Sequence, residues 1–118
     1  MTKMKTDKEL IYIASPYTNS DDSIRIQNYE TVTEIAADLV AQGHVAISPI
    51  TYGHVLSECK EMPTDWGFWM DFCTVLLSKC DKILVCNTIP GWENSKGVAA
   101  EIEFAKQNGI KVEYLKPL

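Results

Sequence analysis

The residues best suited to chemistry lie together in one stretch, Gly91-Trp92-Glu93-Asn94-Ser95-Lys96-Gly97-Val98-Ala99-Ala100-Glu101. It follows an apolar run, Lys82–Asn87, and leads into a helical pattern that ends at Asn108-Gly109. A strand, a turn-rich loop and a helix start make an anion site, because the first helical N–H groups have no partners of their own. Ser95 is suited to cap that helix. Gly97 leaves its first turn bare, and Glu101 sits four residues later on the same face. Helical side chains lean toward the N-terminus, so Glu101 is expected to lean over Gly97. The pattern therefore predicts a phosphate-sized cradle with a carboxylate beside it.

The elements that must hold this stretch follow from periodicity. Leu10–Ala14 is apolar and β-branched, and reads as a buried strand. Ser15, Pro16, Tyr17, Thr18 and Asn19 form a loop, because Pro16 biases Ser15 away from helix. A helix is predicted over 21–42, with Asn28, Val32, Ile35, Ala36 and Leu39 on one face and Gly43 as its stop. Strand two is Val45–Ser48, ended by Pro49, and a short helix is predicted over Tyr52–Cys59. Thr64 or Asp65 caps a further helix that continues to about Cys80. Strand three is Lys82–Asn87, the last helix is Lys96–Asn108, and strand four is Lys111–Leu115. Strands alternating with helices predict one α/β domain over 10–118, with a four-stranded parallel sheet and helices on both faces. The flavodoxin-like (Rossmann-like) order 2-1-3-4 puts the switch point between strands one and three. There the loops 15–19 and 88–96 converge.

Composition narrows the partners. With 118 residues the chain is one domain, and 46% hydrophobic content supports a core. A net charge of −5 argues against nucleic acid and anionic membranes as partners, and leaves a small anionic ligand held by backbone N–H groups. No stretch of eighteen apolar residues or signal peptide is present, and residues 1–9 read as a disordered lead-in. Cys59, Cys73, Cys80 and Cys86 form no Cys-x-x-Cys pair and read as buried free thiols, which fits the cytoplasm. No metal site is expected, since His44 and His54 lack ligand spacing to a cysteine pair.

Several residues carry a chemical and an ordinary reading side by side. Glu101 is either a nucleophile or charge stabiliser, or a border glutamate beside the stripe Val98, Ile102 and Ala105. Asp71 is the one charged residue between Trp66 and Ser78. It is either an acid with a raised pKa in a helix buried nearly all round, or part of a solvated stripe with Thr74 and Ser78. Tyr17 and Trp92 suit either stacking on a base or packing of their loops. His54 and Asp81 read as structural.

The segments Ile11-Tyr12-Ile13-Ala14-Ser15-Pro16-Tyr17 and Ser95-x-Gly97-Val98-x-x-Glu101, with Asp81 opening a strand between them, resemble the nucleoside 2-deoxyribosyltransferase-like superfamily. The likeness is to its small, often phage-encoded branch and covers nearly the whole chain. It implies cleavage or transfer at the N-glycosidic bond of a 2′-deoxynucleoside or its 5′-monophosphate, without metal or organic cofactor. On this resemblance Glu101 acts at the anomeric carbon, Tyr12 contacts the site and Ser95 holds the 5′-phosphate. The substrate-binding set becomes Ser15, Pro16, Tyr17, Trp92, Ser95 and Gly97, and the catalytic set Glu101, Tyr12 and Asp71. Members are dimers or larger, and the apolar helix from Trp66 to Leu77 suits a homodimer. One position departs from the pattern. An aspartate is usual eight residues before Asp81, where this chain has Cys73. Asp71 is the nearest acid, about 200° away around a helix. The expected activity is hydrolysis of a 2′-deoxynucleoside 5′-monophosphate, with deoxyribosyl transfer or nucleotide binding without turnover as alternatives.

Overall fold

The computed structural model describes residues 8–118. Four strands alternate with helices along the chain: β1 Leu10–Ala14, α1 Asp22–Ala41, β2 Val45–Ile47, α2 Pro49–Cys59, α3 Trp66–Ser78, β3 Lys82–Val85, α4 Lys96–Gln107 and β4 Lys111–Tyr114. The sheet is parallel, in the order β2-β1-β3-β4. Tyr12 pairs with Ile83 across the central strands, and Ile83 with Val112 toward the edge. The predicted fold class and strand order are those observed.

Alternation along the central strands divides the core into two layers. Tyr12, Ala14, Ile83 and Val85 face α3 and α4, where they meet Leu77, Val98 and Ala105. Ile13 and Cys86 face the other way, against Val32 and Ile35 of α1 and Ile50 of α2. Helix boundaries follow local signals. Asp21 caps α1 by accepting from Ser23 N–H at 2.9 Å, and Gly43 ends it with φ of +96°, a conformation glycine adopts without steric cost. Pro49 ends β2 as expected but also opens α2 one turn earlier than predicted, because Ser48 caps it and proline suits a first helical position. Asp81 accepts from Leu10 N–H at 2.7 Å and so ties the start of β1 to β3.

Of the expected lead-in over 1–9, residues 1–7 lie outside the described residues. Lys8 donates to the Gly43 carbonyl, and Glu9 pairs with Lys82 at 3.3 Å. Within the single chain α3 buries one stripe, Cys73 and Leu77, and leaves Phe68, Met70, Phe72 and Val75 exposed. Burial nearly all round is therefore not what this chain provides by itself: a helix laid on a sheet covers one side only. Among the described residues no helix is long and apolar enough to cross a membrane.

Candidate active site

The loops after β1 and β3 meet at the carboxyl edge of the sheet and frame a cavity of about 630 Å3. A carboxyl group lies at its floor. Glu101, on the second turn of α4, is only 6% exposed. It belongs to the buried stripe with Val98 and Ala105, while Ile102 is half-buried. The expected border position is thus shifted inward, against Tyr12. Strand alternation sends the Tyr12 side chain to the α4 side of the sheet, fully buried, where its hydroxyl donates to Glu101 Oε2. A buried polar group needs such a partner.

Burial dominates the electrostatics. Desolvation raises the Glu101 pKa to about 8, and the hydrogen bond from Tyr12 pulls it partly back down. The Tyr12 hydroxyl is held far above its usual range, first by burial and then by the Glu101 charge, so it stays a phenol and a donor. Cys73 completes the floor. Its thiol is pushed up to about 11 by burial, with the Glu101 charge adding to the rise. Cys80 is likewise raised to about 11 and Cys86 to about 12 by burial, and both are inert thiols within the core, whereas Cys59, at the end of α2, is exposed and not buried as expected.

The phosphate-sized end is the N-terminus of α4. Gly91, with φ of +88°, turns the chain into a 3-10 turn over Trp92–Asn94. Ser95 then caps α4, its Oγ accepting from Val98 N–H at 3.2 Å. The N–H groups of Lys96 and Gly97 stand ahead of any intrahelical acceptor, and both residues line the cavity. Gly97 is not bare, however. A Cβ there would come within 3.1 Å of Trp66 Cε3, so the glycine is the bed of an indole that forms part of the cavity wall. Gly97→Val is expected to lose about 1–3 kcal/mol of stability by overpacking against Trp66, measured by chemical denaturation, and to weaken ligand-induced thermal stabilisation.

The β1 loop contributes unevenly. Ser15 lines the cavity with a buried Oγ that has no hydrogen-bond partner among the described residues. Tyr17 also lines it, with its hydroxyl 2.9 Å from His54 Nδ1, and His54 stacks on Tyr29 with ring centres 3.7 Å apart. His54 thus positions Tyr17. Thr18 Oγ1 donates to the Thr64 carbonyl at 2.7 Å and bridges the cavity mouth. Pro16 is buried in the loop and does not line the cavity.

Tyr12 likewise does not line the cavity but is buried behind Glu101, and two further expected site residues lie elsewhere. Asp71 is exposed on the outer side of α3, in a shallow groove with Phe72, Val75 and Lys79. The helical angle between positions 71 and 73 explains this: α3 turns Cys73 onto the cavity and Asp71 away from it. Trp92 is half-buried and packs edge-on to Tyr114, ring centres 5.9 Å apart, which is the loop-packing alternative. In their place the fold supplies Asp65, Trp66 and Trp69 to the cavity. Asp65 was legible as a helix cap, and the 66/69 spacing as one face of a first turn. Only the packing of Trp66 on Gly97 and of Trp69 on Gly53 shows that this face lines the site.

The chain belongs to the family described as domain of unknown function DUF1937, whose model matches residues 9–116. No curated protein is matched by the sequence.

Proposed function

We propose that this member of the DUF1937 family hydrolyses the N-glycosidic bond of a 2′-deoxynucleoside 5′-monophosphate. The observation that carries the reading is Glu101, which lines a cavity that also takes in the N-terminus of α4 and accepts from the Tyr12 hydroxyl buried behind it. Cleavage at an anomeric carbon needs a carboxylate to meet developing positive charge, and a water-poor site strengthens that interaction. Glu101 in its ionised form supplies the charge, and the Tyr12 hydroxyl orients it. The 5′-phosphate sits against the Lys96 and Gly97 N–H groups with Ser95 beside them. The bond from C1′ to the base nitrogen breaks and its electron pair leaves with the base, which takes a proton. A water oxygen bonds to C1′ and releases one proton, which balances the one taken by the base, so the products are free base and deoxyribose 5-phosphate. The resemblance to the nucleoside 2-deoxyribosyltransferase-like superfamily supports the same substrate class. Transfer of the sugar to a second base, in place of water, is the neighbouring activity.

A specific observation favours one further reading, nucleotide binding without turnover: Cys73, with its thiol held protonated, stands on the cavity floor where a second acid is usual in the resembled superfamily.

The test is chromatographic. Incubation with a panel of deoxynucleoside and ribonucleoside 5′-monophosphates is expected to release base from at least one deoxynucleotide, and excess acceptor base exposes transfer. No release from any, with nucleotide-dependent thermal stabilisation retained, would leave the binding reading in place. Ser95→Asp separates the phosphate end from the rest, because aspartate caps a helix as well as serine does. A second negative charge beside the phosphate is expected to weaken monophosphate binding about tenfold or more while leaving nucleoside binding within about twofold, measured by thermal shift and calorimetry.

A further inference from the structure

Glu101 and Asp65 are the two carboxyl groups lining the cavity among the described residues. The proposed function uses Glu101 alone. Asp65 is the N-cap of α3, its Oδ2 accepting from Phe68 N–H at 3.1 Å, which leaves Oδ1 without a partner among the described residues. Asp65 is exposed at the cavity mouth. A Cβ on Gly67 would lie 3.0 Å from Oδ2, so the glycine makes room for this carboxylate. The preceding residue is pinned across the mouth by the bond from Thr18 to the Thr64 carbonyl. Trp66 and Trp69 follow it on the same wall.

A carboxylate repels phosphate, so Asp65 is unsuited to the anionic end of a nucleotide, which the α4 N-terminus serves. Trp66 packs on Gly97 beside the phosphate, so with the anomeric carbon at Glu101 the base is the part left for Trp69 and Asp65. We propose that Asp65 reads the nucleobase, its free oxygen accepting an amino N–H, so that the site selects amino-bearing bases (adenine, cytosine, guanine) over thymine and uracil. An ionised carboxylate only accepts hydrogen bonds. The two carbonyl oxygens flanking the N3–H of thymine or uracil face it with like charge, whereas an exocyclic amine offers a donor free of one such neighbour. Discrimination then comes from repulsion as well as attraction. This inference rests on the nucleotide-hydrolase reading.

The test compares base preference in wild type, Asp65→Asn and Asp65→Ser, both of which retain an N-cap acceptor. Wild type is expected to favour at least one amino-bearing deoxynucleotide over dTMP and dUMP by roughly tenfold or more in kcat/KM. Both variants are expected to bring that ratio to within about threefold, with melting temperature close to that of wild type. The same ranking is expected in thermal shifts on a Glu101→Gln background, where binding is read without turnover. Base release with an unchanged preference in both variants overturns the role of Asp65 and leaves the hydrolase reading intact. Nucleotide binding without release, but with a preference that collapses in the variants, overturns the hydrolase reading and retains the role of Asp65. Absence of both release and binding across the panel overturns the two together.

Discussion

Glu101→Gln is expected to reduce base release by about 10³-fold while leaving nucleotide-dependent thermal stabilisation in place. Glutamine keeps the shape and still accepts from the Tyr12 hydroxyl, so the substitution removes the ionisable group and little else. Direct assay of kcat/KM on the best deoxynucleotide checks it, and a variant that retains near-wild-type turnover would sink Glu101 as the acting group. The same residue sets two pH dependences. Burial raises its pKa to about 8, so the ionised fraction in the empty site grows as pH rises, and kcat/KM is expected to climb to a plateau above about pH 8. Stability runs the other way. The unfolded chain releases this proton near its ordinary value of 4.5, while the folded chain keeps it up to about 8. The contribution is therefore fully present below pH 4.5 and is lost as pH rises through 8. Denaturation at pH 5 and pH 9 should show Glu101→Gln gaining stability relative to wild type at the alkaline end, by a few kcal/mol.

Tyr12→Phe is expected to move the acidic limb of the kcat/KM profile to higher pH. The Tyr12 hydrogen bond is the one influence that lowers the Glu101 pKa against desolvation, and phenylalanine removes it without changing the packing of a fully buried ring. Each pH unit of displacement costs about tenfold in the ionised fraction near neutrality. Loss of the donor also leaves a buried carboxyl oxygen without a partner, a destabilisation of about 1–3 kcal/mol. A pH-rate profile identical to that of wild type would show that the phenol does not tune the carboxyl group. A uniform fall in rate with an unmoved midpoint would assign Tyr12 to substrate contact in place of tuning.

The fold was legible because its signals are local and redundant. β-Branched runs marked the strands, Asp21 and Ser95 marked helix starts, and Gly43 and Gly109 marked helix ends. Once strands alternated with helices, right-handed crossovers left few orders, and the observed one is the order expected. Convergence of the loops 15–19 and 88–96 followed from that order. Ser15, Tyr17, Ser95, Gly97 and Glu101, named from sequence, line the cavity where those loops meet, whereas Tyr12, Pro16, Asp71 and Trp92 do not.

What sequence left open depends on rotation and contact between elements distant along the chain. Periodicity placed Glu101 on the border of a stripe, but its burial is decided by a hydroxyl eighty-nine residues away on β1. The axial rotation of α3 chose Cys73 over Asp71 for the cavity, a difference of about 200° that no local signal records. Trp92 was turned onto Tyr114 by the adjacent edge strand, while Trp66 and Trp69 pack at the site on glycines of other helices, Gly97 and Gly53. Local propensity and hydrophobic period thus determined the elements, their order and the edge at which a site forms. Tertiary packing alone decided which carboxyl group is buried and partnered, because desolvation and hydrogen bonding are properties of the assembled neighbours.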